Sequence, residues 1–380
     1  MANNENLKQT KNKFKVIGVV SRIDKDGAYR EEEKEGGKYD GVTYRSLRFG
    51  VKTSDTNEIT VSMFSYEPEQ VFLWNSEKKK ADKNYKGDRV AFADWEANQE
   101  RYREEGYAVL QTRVGLTYGE DGKIESKGLP SFVASQEIFN NLNNGDSVVI
   151  EGNISYSRYK NRDDKMVEQK NFNIEKVFKI KDVDFESEKF EEVTYFEQEM
   201  VFVDAVAEKK EGKVYVTGRH INYNKTFHDT QFVVDYSDGE GGTDAGMVKL
   251  ADAFLKKFKF GDLLNVFGDT LNRVIIEEVE EEDTSEEDDL LASLGGKSKP
   301  KHAQSYANRT YISELQIHGV DAWDKKVYRE EDFEVDSLLE EDSKEDNKLQ
   351  DELGGKSKKK SNPFDTDLDD DQFGDEDLPF

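Results

Sequence analysis

At 380 residues, with 35% hydrophobic residues and a mean hydropathy of −0.89, the chain is long enough for two or three domains, and part of it lacks the apolar residues for a core. The absence of cysteine excludes disulfides and thiolate metal sites. No stretch approaches the roughly 18 apolar residues that span a membrane, so a soluble, intracellular protein is expected. The net charge of −27 argues against a nucleic-acid partner until its distribution is considered. The segments 277–289, 330–352 and 361–380 hold −10, −10 and −8, which leaves the rest of the chain close to neutral. A positive groove can therefore exist locally, with the negative charge segregated in flexible segments.

In chain order, residues 1–12 are expected to be disordered. From Phe14 onward, short β-branched and aromatic runs alternate with Gly, Asp and Asn turns, the pattern of small antiparallel sheets or barrels. Strands are predicted at 14–24 (FKVIGVVSRID), 43–54 (TYRSLRFGVKTS) and 57–66 (NEITVSMFSY), a helix at 134–143, and strands near 146–159 and 170–182. The order then recurs: strands at 198–208, 213–223 and 226–236, a helix at 247–259, and strands near 262–276 and 309–320. Gly145-Asp146 and Gly152 precede Gly261-Asp262 and Gly268 by 116 residues, and Phe172/Glu175 precede Tyr311/Glu314 by 139. The extra 23 residues fall where the acidic run and LGGKSKPK are inserted. Two diverged copies of one unit, five strands and a helix, account for this order. The segment 67–130 reads as an arm inserted into the first copy, with a truncated third copy as the alternative. LGGKSK occurs at 294–299 and again at 353–358, each time after an acidic run containing leucines. These are flexible linkers, or a repeated docking element.

Side chains alternate across a strand, so each run divides into two faces. Leu47, Phe49 and Val51, with Ile59, Val61 and Met63, should face a barrel interior. The opposite faces then expose Tyr44, Arg48, Lys52, Phe64 and Tyr66 on one surface. Bases of single strands stack on aromatic rings for about 1–3 kcal/mol each while Lys and Arg neutralise phosphates, so this combination points to single-stranded nucleic acid. Packing of Phe64 and Tyr66 beneath the 67–130 arm is the competing explanation. A second cationic–aromatic stretch, ISYSRYKNRDDK, places Tyr156, Arg158, Tyr159 and Lys160 on an expected protruding ribbon. In the second copy RHINYNKTFH offers Arg219, Tyr223, Lys225 and Phe227 around a strand-to-strand turn.

Catalytic signatures do not emerge. There is no G-x-x-x-x-G-K-[ST] loop, G-x-S-x-G elbow or H-E-x-x-H pair, and His220, His228, His302 and His318 lack metal-site spacing. Asp367, Asp369 and Asp371 have calcium-loop spacing, but Gln372 stands where such a loop needs glycine. Neither an enzyme nor a cofactor is expected.

The sequence closes with DDDQFGDEDLPF, in which a bare Leu-Pro-Phe follows a run of carboxylates. Asp375-Glu376-Asp377-Leu378-Pro379-Phe380 resembles the acidic tip of the bacterial and bacteriophage single-stranded DNA-binding proteins. GDSVVIEGNISYSRY is similar to that family's GD-strand and cationic–aromatic ribbon, with Tyr159 at a base-stacking position. TVSMFSYEPE is similar to its third strand, with Phe64 at a DNA-contacting position. The resemblance implies an OB-fold and a disordered acidic C-terminal tail, and with the repeated unit it gives tandem OB-fold-like five-stranded barrels, each with a short helix. The second barrel, the arm and the acidic insertion depart from the family's pattern and favour a phage-type protein. The implied organisation is a disordered 1–12, a first OB-like domain at 13–185 with the arm at 67–130, a second at 195–329 with an acidic loop at 277–305, and a tail at 330–380. The resemblance further implies a protein that coats single-stranded DNA during replication, recombination and repair and recruits partner proteins through residues 375–380. Such a protein would work as a monomer or homodimer in bacterial or host cytoplasm. A non-enzymatic replisome adaptor with OB-like domains is the alternative.

Overall fold

A computed structural model describes residues 6–119, 122, 124–160, 166–238, 241–277 and 308–333, the side chains of 158–160, 166–168, 274–277 and 308–311 excepted. The strands are β1 (Asn12–Ser21), β2 (Tyr29–Glu33), β3 (Thr43–Lys52), β4 (Glu58–Tyr66), β5 (Gln70–Asn75), β6 (Asp88–Ala91), β7 (Tyr107–Val109), β8 (Thr112–Tyr118), β9 (Ile124–Leu129), β10 (Ser147–Lys160), β11 (Met166–Lys179), β12 (Val193–Glu208), β13 (Lys213–Ile221), β14 (Phe227–Asp235), β15 (Leu263–Glu277) and β16 (Asn308–Asp324). The helices are α1 (Ser76–Ala81), α2 (Phe92–Ala97), α3 (Gln99–Glu104), α4 (Ser131–Asn141) and α5 (Ala245–Lys256). The protein is mainly β, as its alternating sequence predicts.

Strand pairing closes two rings. In the first, β1 pairs with β10 and β3, β3 with β4, β4 in parallel with β11, and β11 with β10. In the second, β12 pairs with β13 and β15, β13 with β14, β14 in parallel with β16, and β16 with β15. This is the same five-strand order twice, the order of an OB barrel. Period-2 alternation fills each ring: Phe14, Val16, Val20, Leu47, Phe49, Val61 and Ile150 are buried in one, and Phe196, Met200, Val216, Phe232, Val266 and Ile317 in the other. Each ring is closed at one end by its helix, α4 through Phe132, Ala134 and Ile138, and α5 through Ala251 and Phe254. Asp244 starts α5 by accepting from the backbone N–H groups of Gly246 and Met247 at 2.7 and 2.8 Å.

Gly152 and Gly268 mark the same irregularity in the two rings. Ladder register shifts at or next to each, and a Cβ there would lie 1.8 Å from a backbone oxygen, of Asn173 and Gln316 respectively. Their partners on the first strand of each ring are Phe14 and Phe196. These two phenylalanines also pair with each other, because β1 runs antiparallel to β12 from Asn12↔Gln198 to Ile17↔Val193. Equivalent residues meet at the join, so a pseudo-twofold axis passes between them. The join makes one 13-stranded sheet of both rings.

Between β4 and α4, the chain builds a separate sheet in the order β6-β5-β7, together with α1–α3 and a β8–β9 hairpin that pairs in parallel with β11. The β2 strand was not expected from its sequence, YREEE. It lies antiparallel on β3, with Tyr29 opposite Leu47 and Glu32 opposite Tyr44.

Candidate nucleic-acid interface

The outer face of β3 and β4 follows from their register. Tyr44 lies opposite Tyr66, Ser46 opposite Phe64, Arg48 opposite Ser62 and Lys52 opposite Glu58. Directly opposed side chains of an antiparallel pair share a face and reach one another. The rings accordingly cluster: Phe64 meets Tyr66 edge-on at 5.2 Å, and Tyr44 lies 5.5 Å from Phe64 and 6.2 Å from Tyr66. Tyr39, from the loop between β2 and β3, stacks on Tyr66 at 4.2 Å with 14° between the planes. Phe64 is 42% exposed, although nothing in its chemistry favours contact with water.

Tyr44 is on the predicted face but is not open to solvent. It is 9% exposed, and its hydroxyl donates to Glu32 Oε2 at 2.7 Å. Burial, then this carboxylate, raise its pKa, against an opposing contribution from the Arg30 charge. Tyr44 is thus a fixed, neutral support for the more exposed rings. Cations border the cluster: Lys38 Nζ lies 5.4 Å from the Tyr39 ring centre, and Arg30 stands opposite Ser46. Arg48 and Lys52 continue along β3, both half-buried. At the far end, Glu58 Oε1 accepts from Arg22 Nε and from Ser21 Oγ, both at 2.6 Å, so that end is neutralised internally. On the other flank Asn173 donates to Asn153 Oδ1 at 3.0 Å and to Ser155 Oγ at 2.9 Å, a polar strip beside the rings. Arg30, Lys38 and Tyr39 were missed in the sequence. The available signal was Tyr39 preceding Asp40-Gly41, a turn that returns the chain beside Tyr44.

The other predicted residues are not brought to this face in the same way. Tyr156 does not sit on an exposed ribbon. It is 9% exposed, stacks flat on His220 at 4.1 Å and 5°, and its hydroxyl donates to Gln198 Oε1 at 3.1 Å. The join of β1 to β12 places the second ring over this part of β10, which the sequence of one strand does not reveal. Arg158, Tyr159 and Lys160 belong to β10 by backbone, and their side chains lie outside the described residues.

In the second ring, Arg219 is engaged by its neighbours. Its Nε and Nη2 donate to the two carboxylate oxygens of Asp229 at 2.6 and 2.8 Å, and its guanidinium lies 4.7 Å from the rings of both Phe227 and Phe333. Phe227 packs edge-on against Phe333 at 5.2 Å. Tyr223 is 81% exposed at the β13–β14 turn, where Lys225 has a φ of 64°. Opposite ends of β13 and β14 carry Lys213 against Asp235, and Lys213 also reaches Glu314 at 2.9 Å. The second ring therefore repeats the topology of the first, and its rings near Arg219 (Phe227, Phe260 and Phe333) pack on one another and on that guanidinium. Asp375, Glu376, Asp377, Leu378, Pro379 and Phe380 lie outside the described residues.

Residues 82–352 match the profile of the YorF family. The chain belongs to the YorF family. The matched span of this YorF-family chain starts within the segment between β4 and α4 and covers the whole second ring, whereas the β3–β4 ring cluster precedes it. No curated protein matches it in sequence. Among solved structures it is similar to the wild-type single-stranded DNA binding protein from Thermus aquaticus, at 12% identity and a TM-score of 0.31, over 70% of this chain and 87% of that one. A deletion mutant of the Thermus aquaticus protein gives 13% identity and a TM-score of 0.32, over 74% of this chain and 100% of that one.

Proposed function

We propose that the chain is a non-catalytic protein that binds single-stranded DNA on the outer face of β3 and β4. The carrying observation is the cluster of Tyr39, Tyr44, Phe64 and Tyr66, open at Phe64 and bordered by Lys38 and Arg30, with Arg48 further along β3. Rings accept any base, and cations accept the phosphates between them, so binding shows little sequence preference. Duplex DNA keeps its bases stacked and offers this face only phosphates. The protein coats exposed strands during replication, recombination and repair, and the acidic tip at 375–380 recruits partner proteins, with carboxylates steering and Leu378 and Phe380 seating in an apolar pocket.

Titration of the full chain with oligo-dT and with duplex at two salt concentrations tests this reading. The expected result is salt-sensitive binding of oligo-dT with tyrosine quenching, and much weaker duplex binding. Equal affinity for both, or none for oligo-dT, overturns it. Deletion of 361–380 should abolish capture of replication partners while DNA binding persists.

A further inference from the structure

The sheet of β5, β6 and β7 has an outer face that the β3–β4 reading does not use. Alternation along β5 buries Val71 and Leu73 and turns Phe72 and Trp74 the other way. Phe72 is 41% exposed and lies over Gly87, where an added Cβ would come within 2.2 Å of the ring. Gly87 has a φ of 93°, so this seat is built for a residue without a side chain. One side of the Phe72 ring is thereby supported. Trp74 lies 5.5 Å from Tyr85, and Arg89 stands directly opposite Phe72 on the edge strand β6.

The segment 77–89, EKKKADKNYKGDR, is also unusually basic for a chain of net charge −27. Lys78 is held by Asp88 and Lys80 by Glu77, whereas Lys83, Lys86 and Arg89 are exposed and enter no salt bridge among the described residues. Rings two residues apart on a strand repeat about every 6.8 Å, a spacing that suits successive bases of an extended strand. Phe72 lies six positions after Tyr66, so the two faces lie within roughly 20 Å along the chain.

We propose that this face is a second single-stranded DNA contact, in which Phe72 and Trp74 stack on bases and Lys86 and Arg89 take the intervening phosphates. A strand leaving the Phe64–Tyr66 cluster continues onto it. The proposal rests on the β3–β4 reading for the origin of that strand. Phosphate neutralisation favours a nucleic acid over an apolar partner here, and the ring spacing favours bases. The chain's own acidic segments are the competing ligand.

The test compares dT8 with dT24 on the full chain, with Lys86→Glu/Arg89→Glu, Phe72→Ala and Phe64→Ala as separate variants of unchanged unfolding midpoint. The native chain should bind dT24 roughly 10-fold more tightly than dT8 after correction for lattice statistics, with Trp74 quenching only by the longer strand. The charge-reversed variant and Phe72→Ala should each lose that gain. The charge-reversed variant should also flatten the salt slope for dT24 by about 1.4. Retention of the full gain and slope in both variants overturns the proposal. So does selective loss of binding to a synthetic peptide of residues 361–380 with dT24 binding intact, which assigns the face to the acidic tail. Failure of the β3–β4 reading has a different signature, in which dT8 does not bind and Phe64→Ala changes nothing.

Discussion

Phe64 is held open by its neighbours: Tyr44 is pinned to Glu32, Tyr66 is stacked on Tyr39, and the Phe64 ring stands against both. Phe64→Ala should therefore lower oligo-dT affinity by about 1–3 kcal/mol and leave the unfolding midpoint unchanged, as fluorescence titration and thermal melts would show. His220 has the opposite character. It is 2% exposed, stacked on Tyr156, and burial together with the nearby His228 pushes its pKa down to about 3, against the pull of Asp229. The unfolded chain binds this proton more readily than the folded one. The His220 contribution is therefore complete above pH 6.5 and declines as pH falls toward 3, by about 2 kcal/mol at pH 5. Urea midpoints at pH 7.5 and 5 should diverge in the native chain and converge in His220→Phe. Strict alternation made the Phe64 face readable from its strand alone. Tyr156 has equally regular neighbours, but its burial depends on His220, 64 residues further along the chain, so local pattern misplaces it.

The β3–β4 hairpin carries the rings at one end and is fastened at the other. Its turn docks on the second ring, where Glu192 Oε1 accepts from Thr53 Oγ1 at 2.6 Å and Asn57 Nδ2 at 2.8 Å, and Glu192 Oε2 accepts from Arg273 Nη2 at 3.1 Å. Asn272 completes the contact by donating its backbone N–H to Asn57 Oδ1 at 2.7 Å and its side-chain amide to the Glu58 carbonyl at 2.8 Å. Glu192→Ala removes three acceptor contacts at once and should cost about 1–3 kcal/mol. Amide exchange should accelerate at 53–57 ahead of the rest of β3, a pattern that a uniform loss of stability would not produce. At this scale the repeated helix, GD turn, strand and glycine were plain in the sequence, since each is a local signal. The β2 strand was not, because Tyr29–Glu33 is a charged run whose extended form depends on pairing with β3 and on Tyr29 stacking against Phe139 at 4.8 Å. With β2 unread, the loop that delivers Tyr39 had no visible destination.

Across the whole molecule, the β1–β12 ladder and the core that extends through both rings leave neither ring an independent boundary. Lys13 reinforces the ladder through Glu197 at 2.6 Å, holding the Glu197 pKa down to about 2, with lesser help from Asn265 and Tyr195. The described rings should unfold in one cooperative transition, with calorimetric and van't Hoff enthalpies in agreement; two resolved heat-absorption peaks would contradict this. The ladder has a further consequence. Two separate chains joined through equivalent first strands would fall apart on dilution, and their stability would depend on their abundance. Here the partner strand is supplied covalently, about 180 residues further along the chain, so its effective concentration does not change with protein level. The β1–β12 pairing is therefore complete in the first molecule made, whatever the amount of protein around it.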